Sequence, residues 1–363
     1  MRNFRLVLSI AFIIIFPMSC VDVTQITITS TPSVTQDDPT QTLAKVVTET
    51  IGPSSNIPMI SAKQFNLNEI GLAKLSPDGS TLAISGDRGV YLYDSNTLEY
   101  KGSISILARG IAFHPDGHIL VIVHDGIMQF WNIESGDIKY FAGNTKSSLG
   151  SIGGNISFSP DGRYIGFQTT GVCDGVDSKF EVRNVSDGKI IIQRETCAHW
   201  VSPVFSFSQD SKRLVLGYMD DKLPHDTPPF YFEIIDMTSG ATILNTPKVQ
   251  VTHTSNDGHT IAVSDTLDVY AEKRNTWIVN AESNETIAVV PYPESFMSFS
   301  PDGEHFLVNK GGKIILQDIK TGGILCSFGD FGDVGVSFDQ IGDKFILWNK
   351  EAVYLIKTSK CIP

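Results

Sequence analysis

The chain has 363 residues, with 40 acidic against 28 basic side chains and a formal net charge of -12. Hydrophobic residues make up 41%, enough for a packed core, which excludes a disordered chain. The acid excess and the lack of a basic stripe argue against a phosphate-backbone partner, so no nucleic acid is expected.

At the amino end Arg2 and Arg5 precede an apolar run from Leu6 to Phe16, then Pro17-Met18-Ser19-Cys20. A basic start and a short apolar segment predict a secretory signal over residues 1–19. The run is too short to span a bilayer, which takes about 20 residues. Ser19-Cys20 resembles the end of the lipobox of bacterial lipoproteins, with Pro17 where that family usually carries leucine. The resemblance implies that Cys20 is acylated, becomes the new amino terminus and anchors the chain in a membrane. An ordinary cleaved signal is the alternative and gives a secreted or periplasmic soluble protein. Removal of 1–19 leaves 26 basic against 40 acidic residues, a charge of -14. Residues 20–60 are rich in Thr, Ser, Pro, Gln and Asp without sustained periodicity, which predicts a flexible tether behind Cys20.

From residue 61 onward one unit repeats: apolar strand, tight turn, apolar strand. The turns read Ser76-Pro77-Asp78-Gly79, His114-Pro115-Asp116-Gly117, Ser159-Pro160-Asp161-Gly162, Ser208-Gln209-Asp210-Ser211, Ser255-Asn256-Asp257-Gly258, Ser300-Pro301-Asp302-Gly303 and Asp339-Gln340-Ile341-Gly342. Their last residues are spaced by 38 to 49 positions. Proline pre-sets φ, aspartate caps its own backbone, and glycine supplies the positive φ that closes the turn. The strands that follow, such as Ile119–Val123 and Phe306–Val308, are continuous apolar runs, as expected for strands covered on both faces.

A second signature follows in most copies: Trp131-Asn132 leads to Gly136, Arg183-Asn184 to Gly188, Ile235-Asp236 to Gly240, and Gln317-Asp318 to Gly322. With these two signatures the chain resembles WD40 repeats and the related Pro-Asp repeats of bacterial periplasmic propellers, over residues 61–363. The resemblance implies an all-β fold, a seven-bladed β-propeller of four-stranded antiparallel blades. No copy keeps a Trp-Asp pair and the Gly-His pair is absent, so the buried polar network of standard WD40 blades is not expected to carry over. Blade seven holds three strands, near Gly335–Phe338, Lys344–Trp348 and Ala352–Ile356; Lys63–Leu67 is the expected donor of its outer strand, closing the ring.

Antiparallel connectivity places both kinds of turn on one face of the ring and the links between second and third strands on the other. Those links are short in blades one, two, six and seven, and long at Gly171–Ser178, Met219–Pro229 and Asp265–Asn275. Three adjacent long loops predict a binding rim containing Asp174, Asp177, Asp220, Asp221, His225, Asp226, Asp265, Asp268, Tyr270, Lys273 and Arg274. Drift in surface loops is the bland alternative. Asp220, Asp221 and Asp226 lack EF-hand spacing, so no metal is expected, and nothing points to a cofactor.

No catalytic residue is assigned. His114, His118, His259 and His305 sit in or beside turns of different blades, and no His-Glu-x-x-His, Gly-x-Ser-x-Gly or phosphate loop occurs. Four cysteines remain without Cys20, and four allow three pairings. Blade topology favours Cys173–Cys197 on one face and Cys326–Cys361 at the opposite one. The resulting expectation is a monomeric, membrane-tethered extracytoplasmic propeller that binds a protein partner or ligand. A propeller hydrolase or lyase acting on carbohydrate or peptide, with carboxylates at the ring mouth, is the alternative.

Overall fold

The structure is a computed structural model; it describes residues 46–47, 60–64, 70–141, 151–170, 179–196, 203–219, 230–247, 250–255, 258–264, 275–283, 285–291, 294–339, 342–350, 352–358 and 361. All of them belong to one compact unit, Thr42–Pro363. In chain order, β1 (Val46–Val47) and β2 (Ile60–Gln64) precede the first blade, which is β3 (Leu72–Leu75), β4 (Thr81–Gly86), β5 (Gly89–Asp94) and β6 (Tyr100–Ile104). Blade two is β7 (Gly110–Phe113), β8 (Ile119–His124), β9 (Ile127–Asn132) and β10 (Ile138–Tyr140). Blade three is β11 (Ser151–Phe158), β12 (Tyr164–Thr170), β13 (Lys179–Asn184) and β14 (Ile190–Glu195). Blade four is β15 (Val204–Phe207), β16 (Arg213–Met219), β17 (Phe230–Asp236) and β18 (Thr242–Pro247). Blade five is β19 (Val251–Thr254), β20 (Thr260–Ser264), β21 (Thr276–Asn280) and β22 (Thr286–Val290). Blade six is β23 (Ser295–Phe299), β24 (His305–Lys310), β25 (Lys313–Asp318) and β26 (Ile324–Asp330). Blade seven has β27 (Gly335–Phe338), β28 (Lys344–Trp348) and β29 (Ala352–Lys357).

Every strand pairing is antiparallel, and each inner strand contacts the inner strands of both neighbouring blades, β27 against β3 included. This is a closed seven-bladed β-propeller. Its apolar residues collect into seven clusters, one at each seam between adjacent blades. That arrangement explains the continuous apolar strands: alternate side chains of one strand enter two different seams. In β8, for example, Val121 and Val123 join blade three while Leu120 and Ile122 join blade one. Burial at the seams, not within a blade, is therefore the main stabilising term.

The ring closes through the amino-terminal segment, at a different place from the expected one. The outer strand of blade seven is β2, Ile60–Gln64, which pairs with β29 from Ile60↔Ile356 to Gln64↔Ala352. The expected Lys63–Leu67 is three residues too late. A chain leaving the outer strand must cross three strand spacings of about 4.8 Å to reach β3. From Leu67 it would have only residues 68–71, roughly 14 Å when fully extended, and no slack. β1 adds a fifth strand, with Val46↔Lys63 and Val47↔Ala62. A disulfide joins Cys326 of β26 to Cys361 after β29, so blade six is tied covalently to the carboxyl end of blade seven. Cys173 and Cys197 lie outside the described residues.

Candidate functional site

The turn face is built first by the turns themselves. Ser76 Oγ donates to Asp78 Oδ1 and accepts from Thr81 N–H at 2.9 Å, while Asp78 Oδ1 accepts from Ser80 N–H at 3.0 Å. Ser159 with Asp161, Ser208 with Asp210 and Ser300 with Asp302 repeat this pattern. In blade four Ser211 takes the place of glycine and accepts the strain of a φ of +59°. Its hydroxyl accepts from Asp161 N–H of blade three at 3.0 Å, a contact that glycine would not make.

The second turn of each hairpin is capped in the same manner. Asp94, Asn132, Asn184, Asp236, Asn280 and Asp318 each accept backbone N–H bonds from residues two or three places on. These polar residues are used up structurally. The described repeat aspartates, which a search for catalytic carboxylates would single out, are turn caps.

Near the axis, the strand register defines a ring of equivalent positions, each two residues before its turn. Lys74 pairs with Ala83, Ala112 with Val121, Ser157 with Gly166, Ser206 with Val215, His253 with Ala262, Ser298 with Leu307 and Ser337 with Ile346. Inner strands converge here, and five of the seven residues are alanine or serine. His253 spends its bulk against Phe296 of blade six, ring centroids 4.9 Å apart. Its Nδ1 is buried without a partner, and burial lowers its pKa to about 4. Lys74 instead lines a cavity of about 290 Å³ in the channel. Its ammonium makes no hydrogen bond or ion pair with any described residue, and burial alone lowers its pKa.

The other polar side chains on that wall are Ser157, Ser206, Ser298, Ser337 and Asp339. Ser206 Oγ donates to Ser255 O at 2.8 Å and Ser298 Oγ to Phe299 O at 3.1 Å. Asp339 is 3% exposed and accepts from Gly342 N–H at 2.7 Å. Burial raises its pKa, against the pull of those backbone bonds. A single carboxylate among the described wall residues does not make the acid–base pair that a glycosidase would need.

Two further features lie away from the axis. A groove of about 440 Å³ runs between blades one and two, floored by Trp131, whose Nε1 donates to Gln129 Oε1 at 2.9 Å. Its lining includes Lys101, which pairs with Asp94 at 3.8 Å, His118, which pairs with Glu134 at 3.1 Å, and the turn carboxylates Asp78 and Asp116. Between blades three and four, Glu233 (4% exposed) accepts from Arg194 Nε at 2.9 Å and Tyr218 OH at 2.9 Å. Glu181 and Arg183 form a second buried pair at 2.6 Å. Both ion pairs are fully bonded and structural.

All eleven residues of the expected rim, from Asp174 to Arg274, lie outside the described residues, as does Cys20. The strands that flank them are described. Thr169↔Lys179, Met219↔Phe230 and Ser264↔Thr276 end at the face opposite the turns. Beside the last of these, on blade five, Trp277 is 37% exposed, with Val289 (44%) opposite it and Ile287 (37%) next along β22. Among the described residues there is no group of three or more side chains suited to hold a metal ion. No described helix is long and apolar enough to cross a membrane.

Sequence reasoning missed Lys74 and Trp277. The first had a signal: aligning the seven turns and stepping back two residues sets Lys74 among Ala112 and the four serines. Trp277 had none, because exposure of a third-strand residue depends on how far the neighbouring blade reaches.

No family model matches the chain, and no curated protein matches it. Among solved structures it is similar to Kuenenia stuttgartiensis hydrazine synthase, with 18% identity over 81% of this chain and 97% of that one at a TM-score of 0.58. It is likewise similar to the Cps50 (Swd1) β-propeller domain of Myceliophteria thermophila, with 12% identity over 82% of this chain and 99% of that one at a TM-score of 0.57. At these identities the shared property is the propeller fold.

Proposed function

We propose that this chain is an exported WD40-like propeller, anchored in a membrane through lipidated Cys20 and held off its surface by residues 21–45, ahead of β1, that binds a protein partner. The disulfide supports an oxidising, extracytoplasmic location. The propeller fold, shared with proteins of unlike roles, fits a scaffold whose loops carry the specificity.

The observation that carries the proposal is the exposed trio Trp277, Val289 and Ile287 on blade five. Exposed tryptophan grouped with aliphatic residues is the composition of interface anchors. Trp277 is the second residue of β21, three positions after segment 265–274 in the chain, and the three long segments carry Asp174, Asp177, Asp220, Asp221, Asp226, Asp265 and Asp268. The partner is accordingly a protein that offers an apolar side chain framed by basic residues.

Crosslinking and pull-down from the native membrane test this, with Trp277→Glu and a version trimmed at 171–178, 220–229 and 265–274 as comparisons. Loss of a partner from both variants is expected. Retention of every detected partner by both variants removes the proposal.

A further inference from the structure

We propose that the turn-face end of the central channel binds a small oxyanion of the phosphate class, with Lys74 Nζ as counter-charge and the Ser337 hydroxyl as hydrogen-bond donor. Three observations on the channel wall converge. The ring position of Lys74 is small in five of the other six blades, so a long cationic side chain is out of place as packing. The other large residue, His253, is accounted for by its contact with Phe296. Lys74 touches no counter-ion, and the cavity it lines, of about 290 Å³, has room for a small ion and water.

The electrostatics favour an anion. Asp339 is the one carboxylate among the described wall residues, but its side chain points along the seam to blade one: a Cβ at Gly79 would lie 2.8 Å from its Oδ2. At that same seam Lys344 Nζ donates to Gly79 O at 3.0 Å and to Asn96 Oδ1 at 2.7 Å, and burial, with Asp343 nearby, raises the pKa of Asp339 and so disfavours its charged form. Lys74 is left as the uncompensated cation. Lys74 is half-buried on an open cavity wall, and an oxyanion there would gain charge-assisted bonds that water alone does not supply.

The neighbouring serine completes the site. Ser337, on the adjacent inner strand of blade seven, uses its hydroxyl on no described group, unlike Ser206 and Ser298. Lys74 and Ser337 thus bring an unused ammonium and an unused hydroxyl to one cavity. The rest of the wall is mainly serine, proline and phenylalanine, with Asp339 as its one carboxylate among the described residues.

Inorganic phosphate is the probe, titrated into the full chain by calorimetry against chloride at constant ionic strength, with sulfate as a second arm. Lys74→Met keeps the stem and removes the charge, Ser337→Ala removes the hydroxyl, and Lys320→Met is an exposed-lysine control. Saturable phosphate binding is expected, weakened at least about tenfold by Lys74→Met, less by Ser337→Ala and not by Lys320→Met. Acylation of Lys74, followed by mass spectrometry, should be slowed by phosphate in the unsubstituted chain. Equal binding by the unsubstituted chain and Lys74→Met, or no binding and no protection, overturns the site. A Lys74→Met chain that fails to fold is bypassed by the protection measurement, which needs no substitution; unprotected acylation then overturns the site.

Discussion

His114 lies against Gly162: a Cβ added at Gly162 would sit 2.4 Å from His114 Nε2. The same nitrogen is 3.3 Å from the Gly162 carbonyl oxygen, and the ring meets Phe158 edge-on with centroids 5.0 Å apart. Asp339 stands in the same relation to Gly79 across the seam between blades seven and one. At both seams the first residue of one turn reaches the last residue of the next blade's turn, so the turns join neighbouring blades as well as closing hairpins.

Gly162→Ala should therefore cost more than the backbone alone requires. Gly162 has a φ of +71°, and Gly136 a φ of +75° with nothing within 4 Å of its added Cβ. Gly136→Ala is expected to lose about 1 kcal/mol from backbone strain, and Gly162→Ala about 2 kcal/mol or more from strain plus the clash. Combining Gly162→Ala with His114→Ala should give less than the sum of the two single losses, because the clash is gone. Urea unfolding of the four variants measures this.

Reducing the disulfide should loosen the carboxyl end. Cys326 and Cys361 are 35 residues apart in sequence, which corresponds to about 3–4 kcal/mol of loop-closure entropy in the unfolded chain. Cys326→Ser with Cys361→Ser should melt well below the oxidised chain, and adding reductant to that variant should remove only what the expected Cys173–Cys197 bridge contributes.

Ring closure by β2 should be essential to solubility. Ala62 is flanked on both sides, by Tyr354 of β29 and Val47 of β1. Proline there removes a ladder hydrogen bond whichever way the N–H points, at a cost of about 3 kcal/mol. A chain shortened to start after Gln64 exposes the edge of β29 and is expected to form aggregates or exchanged dimers, visible by gel filtration. A monomeric, folded product would show that three strands suffice for blade seven.

Stability should fall with acid in two stages. Burial holds His253 neutral, with a pKa of about 4 against an ordinary 6.5. The unfolded chain takes up that proton first, so stability drains away as the pH falls from about 6.5 to about 4. The turn aspartates act below that. The Ser208 hydroxyl lowers the pKa of Asp210, and the Thr321 backbone N–H lowers that of Asp318. At Asp161 burial pulls upward most strongly of any single influence, but bonds from Ser159 and Arg163 together outweigh it. Carboxylates lowered in the fold lend stability above their ordinary value of 3.8 and lose it as the pH drops through the folded values. His253→Phe should flatten the upper stage of the urea midpoint against pH, and Asp161→Asn with Asp318→Asn should shrink the lower one.

Repeats made the fold legible. Seven turns such as Ser300-Pro301-Asp302-Gly303 act locally: each hydrogen bond that shapes them lies within five residues, so their chemistry is written in consecutive letters. The closing strand was legible in kind but displaced by three residues, because the length of a crossover depends on the width of the blade. The long loops could be located but not shaped, since nothing in their spacing fixes a backbone.

What the sequence determined by itself was thus the number of blades, the strand order within each and the face on which the turns lie, all consequences of local turn chemistry and period. Tertiary structure alone decided which side chains meet across the seams, that His114 abuts Gly162, and that Lys74 stands on the channel wall without a counter-ion. Those relationships join residues of different blades, such as His114 and Gly162, 48 positions apart, and they arise only when seven blades close on one axis and set their inner strands side by side.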